Sequence, residues 1–281
     1  MPLRRSCPLL GIQDTDTLRV DWEGHPRPAR LIDVDPEHAA PGGPKPSTEF
    51  GRRTYRWAQE TALKGLGEVI LEFPAEEVVY SNSGKLLAYV FARGENYNLR
   101  LVREGFSPCF TKYGHPRVHR EEMEQAEMLA RFEGRGVWGG RGGRGDYQAL
   151  KAYWLLRAGQ IESCRHSVAM GEDVLGCRSD YREIVARAKV GTTTWVFAEL
   201  VRSFHMADGS VLIQLGSPHK PLSAFFPPGT AVLAGFLERE CVGFGKPNYL
   251  YFHGPLSMAG DHPQITVELP DQVRTCPPKT V

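Results

Sequence analysis

A glycine-rich stretch, GGRGGRGD at residues 139–146, divides the sequence near its middle. So much glycine cannot hold a regular helix or strand, because glycine loses more conformational freedom on ordering than any other residue. A chain of 281 residues also exceeds the size of most single domains. We therefore predict two domains joined by a flexible hinge. An alternative is that the arginines of this stretch tether nucleic acid.

Short apolar runs separated by turn residues fill the first half, at 17–20, 29–34, 67–73 and 85–91. Glycine and proline residues between the first two runs mark a hairpin turn. Three stretches carry apolar residues at helical spacing: one after Ser47, a short one after Asn98 and one over 119–132. This order predicts a mainly β protein with α-helices, an α+β fold, whose N-terminal part is a five-stranded OB-fold barrel with three helices.

The second half starts with two helical patterns, at 147–163 and 179–190. From residue 193 the pattern changes to six strand-like runs: TWVFAELVRSF, SVLIQLG, LSAFF, AVLAGFLERECV, NYLYFHG and QITVELP. Short runs at such intervals are typical of a barrel or sandwich. We predict an OB-fold domain at 12–140, a Gly/Arg-rich linker with a helical segment at 141–192, and a second OB-like β-barrel at 193–272, a candidate for nucleic-acid binding.

Composition limits the possible functions. The net charge of +1 means that a nucleic-acid surface must come from local clusters of charge. No apolar run approaches the roughly 20 residues of a membrane span, and the N-terminal apolar patch is too short for a signal peptide. We therefore predict a cytoplasmic protein without a membrane partner.

The six cysteines include no CxxC pair, which is typical of reduced thiols. No feature indicates an obligate protein partner.

Acidic and basic residues cluster near the start of the chain, in DTDT at 14–17 and ARLIDVDPEH at 29–38. Asp16 and Asp35 are carboxylates suited to a hard cation, and the Arg30 guanidinium suits a phosphate. Glu37 adds a further carboxylate, and Lys85 joins from the later run SNSGKLLAYVF. These are the components of metal-assisted phosphodiester cleavage. Taken singly, they are also compatible with turn carboxylates and a surface ion pair.

Several motifs follow one another over residues 12–138: DTDT, ARLIDVD, TEFGRRTYRWAQ, GEVILEF, SGKLLAYVF, NYNLRLVREGFSP and AEMLARFEGRGVW. In this order they resemble the staphylococcal nuclease (thermonuclease-like) family, over about half of the chain. The resemblance implies a Ca²⁺-dependent nuclease on an OB fold, which hydrolyses DNA and RNA phosphodiester bonds by metal-assisted attack of water. It also implies products that carry a 3′-phosphate.

The resemblance assigns roles to individual residues. Asp16 and Asp35 correspond to the two calcium-binding carboxylates, and Pro36 falls where the family uses a backbone carbonyl as a further metal ligand. Arg30 corresponds to the first of two arginines that clamp the phosphate. Lys85 corresponds to the second, and its ammonium keeps the charge but lacks the forked donors of a guanidinium.

The general base has two candidates. Aligned without a gap, His38 takes the base position of the family, whereas with one residue deleted Glu37 takes it. Either side chain can accept or position a proton near neutral pH. We favour Glu37 because a carboxylate beside a cation stays ionised.

Further nucleic-acid contacts are expected at two places. The aromatic residue that stacks on the nucleotide in the family aligns with Thr111; Tyr113 nearby is a candidate substitute, with Lys112 beside it. Arg52 and Arg53 lie on the exposed side of the first predicted helix, where they could guide a polynucleotide backbone.

Two functions of different classes follow from these observations. The first, which we favour from the sequence, is a calcium-dependent nuclease for DNA or RNA whose second half assists substrate binding. The second is a nucleic-acid-binding module that has kept the fold and lost turnover. The lysine at position 85 and the altered sequence after Asp35 would allow the second.

Overall fold

The structure is a computed structural model that describes residues 2–42 and 45–278. The chain forms two compact units. The first comprises the chain up to Thr111 together with His115–Lys151, and the second comprises Lys112–Gly114 and the chain from Ala152 onward. The division at 12–140, 141–192 and 193–272 stays a prediction from the sequence.

The first unit contains a closed five-stranded barrel. Its strands are β1 (Leu3–Asp14), β2 (Thr17–Trp22), β3 (His25–Leu31), β4 (Glu68–Phe73) and β5 (Leu86–Ala92), with a short β6 (Glu95–Asn96) at the edge. Neighbouring strands are antiparallel, in the order β3-β2-β1-β4-β5, and a parallel β3–β5 pairing closes the barrel. The predicted OB-like barrel in a mixed α+β chain is confirmed.

Alternation of side chains explains the core of this barrel. Leu18, Val20, Ala29 and Leu31 all point inward and are buried, because every second residue of a strand faces the same side. Strand β1 follows this rule only in part: Cys7 and Asp14 are buried, and Leu3, Leu9 and Ile12 are partly buried against the core. It was absent from the apolar runs identified in the sequence, because register shifts between residues 9 and 11 and between 12 and 14 interrupt the two-residue period.

Three helices surround the barrel of the first unit: α1 (Glu49–Trp57), which continues into a π-helical turn at Ala58–Ala62, α2 (Tyr97–Arg103) and α3 (Arg120–Phe132). A 3₁₀ turn follows at Gly136–Gly139. The side chain of Thr48 accepts a hydrogen bond from the Gly51 N–H at 2.9 Å and caps α1. Gly51 packs so closely on the loop before α1 that a Cβ there would lie 2.1 Å from the carbonyl oxygen of His38.

The remaining elements are α4 (Tyr147–Ala169), β7 (Val174–Gly176), α5 (Tyr181–Val190), β8 (Thr193–His205), β9 (Val211–Ser217), β10 (Lys220–Phe226), α6 (Ala231–Cys241), β11 (Tyr249–Ala259), β12 (His262–Thr266) and β13 (Val273–Arg274). Short 3₁₀ turns lie at Pro228–Thr230 and Pro270–Gln272. Strands β8, β9 and β10 form a meander, β10 pairs in parallel with β12, and β11 closes the ring against β8. The second unit therefore repeats the strand topology of the first barrel.

One predicted strand of the second unit was wrong. The run AVLAGFLERECV forms helix α6, which lies between the third and fourth barrel strands, as α1 does in the first unit. Its buried residues, Ala234, Leu237 and Cys241, recur at helical spacing. A mostly apolar run of this length fits a strand or a helix equally well when its period is not counted.

Within the described part of the chain, helices that combine the length and apolarity needed to cross a bilayer are absent. All six cysteines are free thiols, and Cys276 is the exposed one.

Candidate functional site

The first unit brings Asp16 and Arg30 together at the end of the barrel where β1 turns into β2. Asp16 lies in that turn, and Thr17 pairs in register with Arg30 across β2 and β3. The Nη2 atom of Arg30 lies 3.2 Å from Oδ2 of Asp16. Burial opposes ionisation of Asp16, but its contact with His38 and the charge of Arg30 hold its pKa well below the usual range. Asp16 is therefore a buried carboxylate that anchors a half-exposed guanidinium.

His38 lies between two carboxylates. Its Nδ1 atom is 3.2 Å from Oδ2 of Asp14, and its Nε2 atom is 3.6 Å from Oδ2 of Asp16. The hydrogen bond to Asp14 and the contact with Asp16 raise the pKa of His38 to about 9, against the effect of burial. The imidazole is therefore protonated at neutral pH and serves as a cation and hydrogen-bond donor in this arrangement.

Two cations of the chain hold the side chain of Asp35. The Lys45 ammonium lies against Oδ1, and the Arg144 guanidinium lies against Oδ2 with Nη1 at 2.6 Å. Arg144 also donates through Nη2 to the backbone carbonyls of Asp35 and Pro36, both at 3.1 Å. Burial lowers the pKa of Lys45, and the negative charge of Asp35 opposes this shift. Both carboxylate oxygens of Asp35 are thus engaged.

Glu37 is fully buried and points into the protein. Its carboxylate accepts hydrogen bonds from the Thr48 hydroxyl, from the Gly143 N–H at 2.6 Å and from the Tyr147 hydroxyl at 2.5 Å. The Thr15 hydroxyl donates to the Glu37 carbonyl oxygen at 2.7 Å. Three donors therefore compensate the cost of burying this carboxylate, and they hold it away from solvent.

The glycine-rich stretch packs on the loop that carries these residues. A Cβ at Gly142 would lie 2.5 Å from the Tyr147 ring, and a Cβ at Gly143 would lie 3.1 Å from Glu37 Oε2. Glycine at these positions allows the backbone to approach the loop. The sequence predicts a flexible hinge here, whereas in the structure Gly143 and Arg144 are hydrogen-bonded to residues 35–37.

Lys85 lies directly before β5. Its backbone N–H donates to the Ser81 hydroxyl at 3.0 Å, and Leu87, two residues on, is the register partner of Arg30 in the parallel β3–β5 pair. Because side chains alternate across a strand, Lys85 and Leu87 face the side of the sheet on which Arg30 lies. The two phosphate-clamp candidates therefore share the outer face of the barrel.

The remaining contact candidates lie in different places. Lys112 and Tyr113 belong to the second unit, where the Arg178 guanidinium lies 4.1 Å from the centre of the Tyr113 ring. Arg52 and Arg53 are exposed on α1, and Arg52 forms an ion pair with Glu49 at 2.9 Å. Arg52 lines a groove of about 660 Å³, whose other lining residues are Gln13, Ala39, Ala40, Glu49, Tyr55, Arg56 and Gln59.

Sequence reasoning missed Lys45 and Arg144. Both lie in proline- or glycine-rich segments without periodicity, PGGPKPS and GGRGGRGD, and they are separated by almost a hundred residues. Pairing of each with Asp35 depends on the tertiary fold. The basic residues within the glycine-rich stretch were the one available signal, and they were assigned to a hinge or a tether.

The residues present do not fit a calcium ion in this arrangement. Calcium takes about six to eight oxygen ligands. Asp35 and the Pro36 carbonyl are engaged by Lys45 and Arg144, while Asp16 accepts a hydrogen bond from Thr17 at 2.8 Å and pairs with Arg30. Over residues 2–42 and 45–278, no group of three or more His, Cys, Asp or Glu side chains is arranged to hold a metal ion.

The first unit is a closed OB-like barrel in which an arginine is anchored beside buried carboxylates. It therefore belongs to the class of OB-like barrel proteins with a candidate phosphate site, and comparison with known proteins identifies a family within this class. Residues 28–140 match the family described as staphylococcal nuclease homologue. The thermonuclease of Staphylococcus hyicus is 30% identical over 132 residues, which cover 46% of this chain and 73% of the relative. The chain belongs to the staphylococcal nuclease family, and the resemblance noted in the sequence is confirmed.

Proposed function

We propose that the first barrel binds single-stranded DNA or RNA through the backbone phosphates, with Arg30 as the main contact and Lys85 as a second. The observation that carries this proposal is the state of Arg30: Asp16 anchors its guanidinium, while 40% of the side chain stays exposed. An oriented, exposed guanidinium suits a phosphate. Membership of the staphylococcal nuclease family supports a nucleic-acid ligand.

Three features support binding without turnover in this arrangement. Asp35 is engaged by two cations, Glu37 is buried under three donors, and His38 is held as a cation. A general base must reach the proton that it removes and must be unprotonated. The binding module with lost or weakened turnover is therefore the function that this geometry supports best.

Further contacts extend the proposed surface. We propose that Arg52 and Arg53 of α1 follow the nucleic-acid backbone away from Arg30, since exposed cations near a phosphate site add affinity. Lys112 and Tyr113, and the second barrel, are proposed as additional contacts. A cytoplasmic location remains part of the proposal.

Binding is tested with a labelled single-stranded DNA oligonucleotide, by fluorescence anisotropy in EGTA. Arg30→Ala should weaken binding by about 10- to 150-fold, because a hydrogen bond to a charged group contributes about 1.5 to 3 kcal/mol. Arg27→Ala is the matched control: Arg27 is an exposed arginine on the same strand. Equal effects of the two variants, or failure of the wild type to bind at low salt, would refute the proposal.

Hydrolysis of DNA or RNA with Ca²⁺ is the second candidate function. The pairing of Asp16 with Arg30 favours it, since the family resemblance assigns both residues to the reaction, with Glu37 or His38 as base. It requires that Lys45 and Arg144 leave Asp35. The test is incubation of single-stranded DNA in Ca²⁺ and in EGTA: cleavage that disappears both in EGTA and in Arg30→Ala would favour the nuclease over the binding module.

A further inference from the structure

We propose that Lys45 and Arg144 take the place of a divalent cation at Asp35, and that residues 141–147 form a strap that holds this arrangement closed. The strap is defined by its sequence, RGGRGDY. The proposal concerns regulation of the candidate site and rests on the proposed function for the identity of that site. It makes the exclusion of a divalent cation from Asp35 a feature built into this chain.

The strap contacts three consecutive residues of the loop. Arg144 binds the side chain and carbonyl of Asp35 and the carbonyl of Pro36, and the Gly143 N–H and the Tyr147 hydroxyl bind Glu37. Each contact involves a donor of the strap and an oxygen of the loop. The strap is therefore complementary to a row of acceptors, the same type of oxygen atom that a hard cation would bind.

The sequence of the strap fits this close approach. Gly142 and Gly143 lie where a Cβ would meet the Tyr147 ring and the Glu37 carboxylate. Arg144, between glycines, has 17% of its side chain exposed, so that its guanidinium is largely withdrawn from water. A loose surface contact would show neither the close backbone approach at the glycines nor the low exposure of the arginine. Arg141, in the same strap, is exposed.

Lys45 completes the arrangement from the segment that precedes α1. It binds Oδ1 of Asp35 while Arg144 binds Oδ2, so the two positive charges balance the carboxylates of the site much as a dication would. A divalent ion at Asp35 would have to displace both side chains and leave their charges next to its own. Like charges held this close disfavour one another, so the chain's own cations exclude calcium.

The test is calcium binding, measured by titration calorimetry and by the shift of the melting temperature up to about 10 mM Ca²⁺, above the weakest range of protein calcium sites. The full-length wild type and Arg141→Ala should show neither heat of binding nor a shift. Lys45→Ala/Arg144→Ala should bind calcium with a dissociation constant of about 1 mM or below, at least about tenfold under the limit of about 10 mM that the wild type sets. If that double variant does not fold, as judged by circular dichroism, Arg144→Gln takes its place under the same criterion.

Two results would overturn the proposal. One is a wild type that binds calcium with a submillimolar dissociation constant. The other is a folded variant without the cations that binds calcium no better than the wild type. Both are distinct from failure of the proposed function, because DNA binding is measured in EGTA. If the wild type binds no DNA but the variant gains a calcium site, the proposal for the strap stands and the proposed function does not.

Discussion

Arg144 forms an ion pair with Asp35, with Nη1 2.6 Å from Oδ2, although the two residues are 109 positions apart in the chain. This contact ties the glycine-rich stretch to the loop after β3. It also engages a carboxylate that the family resemblance assigns to calcium. In this site, cations of the chain pair with Asp14, Asp16 and Asp35. Neutral donors hold the fourth carboxylate, that of Glu37.

From the groove along α1 we predict the path of the nucleic acid. Arg52 and Arg56 line it, whereas Arg53 is exposed on the same helix but is not among the lining residues. Arg52→Ala/Arg56→Ala should reduce the slope of log affinity against log salt by about 2, since each phosphate contact contributes about 1. Arg53 is proposed as a flanking contact, so Arg53→Ala should also reduce the slope. Arg27→Ala is the control, because Arg27 is an exposed arginine of β3 that does not line the groove, and it should reduce the slope less than any of these variants. An Arg27 effect as large as that of Arg52 would show that the groove does not guide the backbone.

The hydrogen bond from the Tyr147 hydroxyl to Glu37 should stabilise the fold. Tyr147→Phe removes one of three donors to the buried Glu37 carboxylate and should lower the free energy of unfolding by about 1.5 to 3 kcal/mol. Tyr55→Phe is the matched change, because the Tyr55 hydroxyl donates to a neutral acceptor, the Ile12 carbonyl, at 2.9 Å. It should cost about 0.5 to 1.5 kcal/mol. Urea denaturation measures both, and a larger loss in Tyr55→Phe would contradict the role of Glu37.

Replacement of two glycines by alanine should change the free energy of unfolding in opposite directions. At Gly51 a Cβ would lie 2.1 Å from the His38 carbonyl oxygen, so Gly51→Ala must displace backbone and should destabilise by about 3 kcal/mol. At Gly159, in α4, a Cβ meets nothing within 4 Å, and Gly159→Ala should stabilise by up to about 1 kcal/mol. Thermal unfolding by circular dichroism measures both signs. A neutral Gly51→Ala would mean that the loop before α1 yields easily.

The second unit should lose stability in acid through Glu199. Burial opposes its ionisation, but Arg157, at 2.7 Å, and Arg178, at 3.1 Å, lower its pKa below the ordinary value of 4.5. Since the pKa is lower in the folded state, this stabilisation is complete above pH 4.5 and is lost as the pH falls through the folded value. The rate of amide hydrogen exchange in β8, corrected for the intrinsic effect of pH, should therefore rise as the pH falls below 4.5.

Variants of Glu199 check the source of this acid sensitivity. Glu199→Gln leaves the fully buried Arg157 without its carboxylate and should cost about 3 to 5 kcal/mol at neutral pH, with a weaker dependence on pH. Glu183→Gln removes an exposed partner of Arg187 and should cost no more than about 1 kcal/mol. An unchanged pH dependence in Glu199→Gln would assign the sensitivity to other groups.

The sequence predicted most of the barrel architecture because alternation and turn residues act locally. It missed β1, because register shifts interrupt the two-residue period of that strand. It also placed a strand where α6 lies, because an apolar run of that length fits a strand or a helix. The sequence predicted a barrel in each half, but the strand order that the two units share was visible only from the strand pairings, which connect residues far apart in the chain.

The candidate site was predictable in its residues and not in its contacts. Asp16, Arg30 and Asp35 lie in recognisable motifs, but the partners of Asp35 come from two segments without any pattern, at Lys45 and Arg144. The alignment also left Glu37 and His38 open as bases. In the structure Glu37 lies inside the protein and His38 lies between Asp14 and Asp16, and both placements depend on tertiary packing.

The measurement that tests the central claim most directly is the salt dependence of single-stranded DNA binding, with the wild type and Arg30→Ala compared in EGTA and in Ca²⁺. We expect the wild type to bind equally in both, without cleavage, and Arg30→Ala to lower the slope of log affinity against log salt by about 1. Wild-type cleavage in Ca²⁺ that stops in EGTA, or equal slopes for the two proteins, would contradict the account.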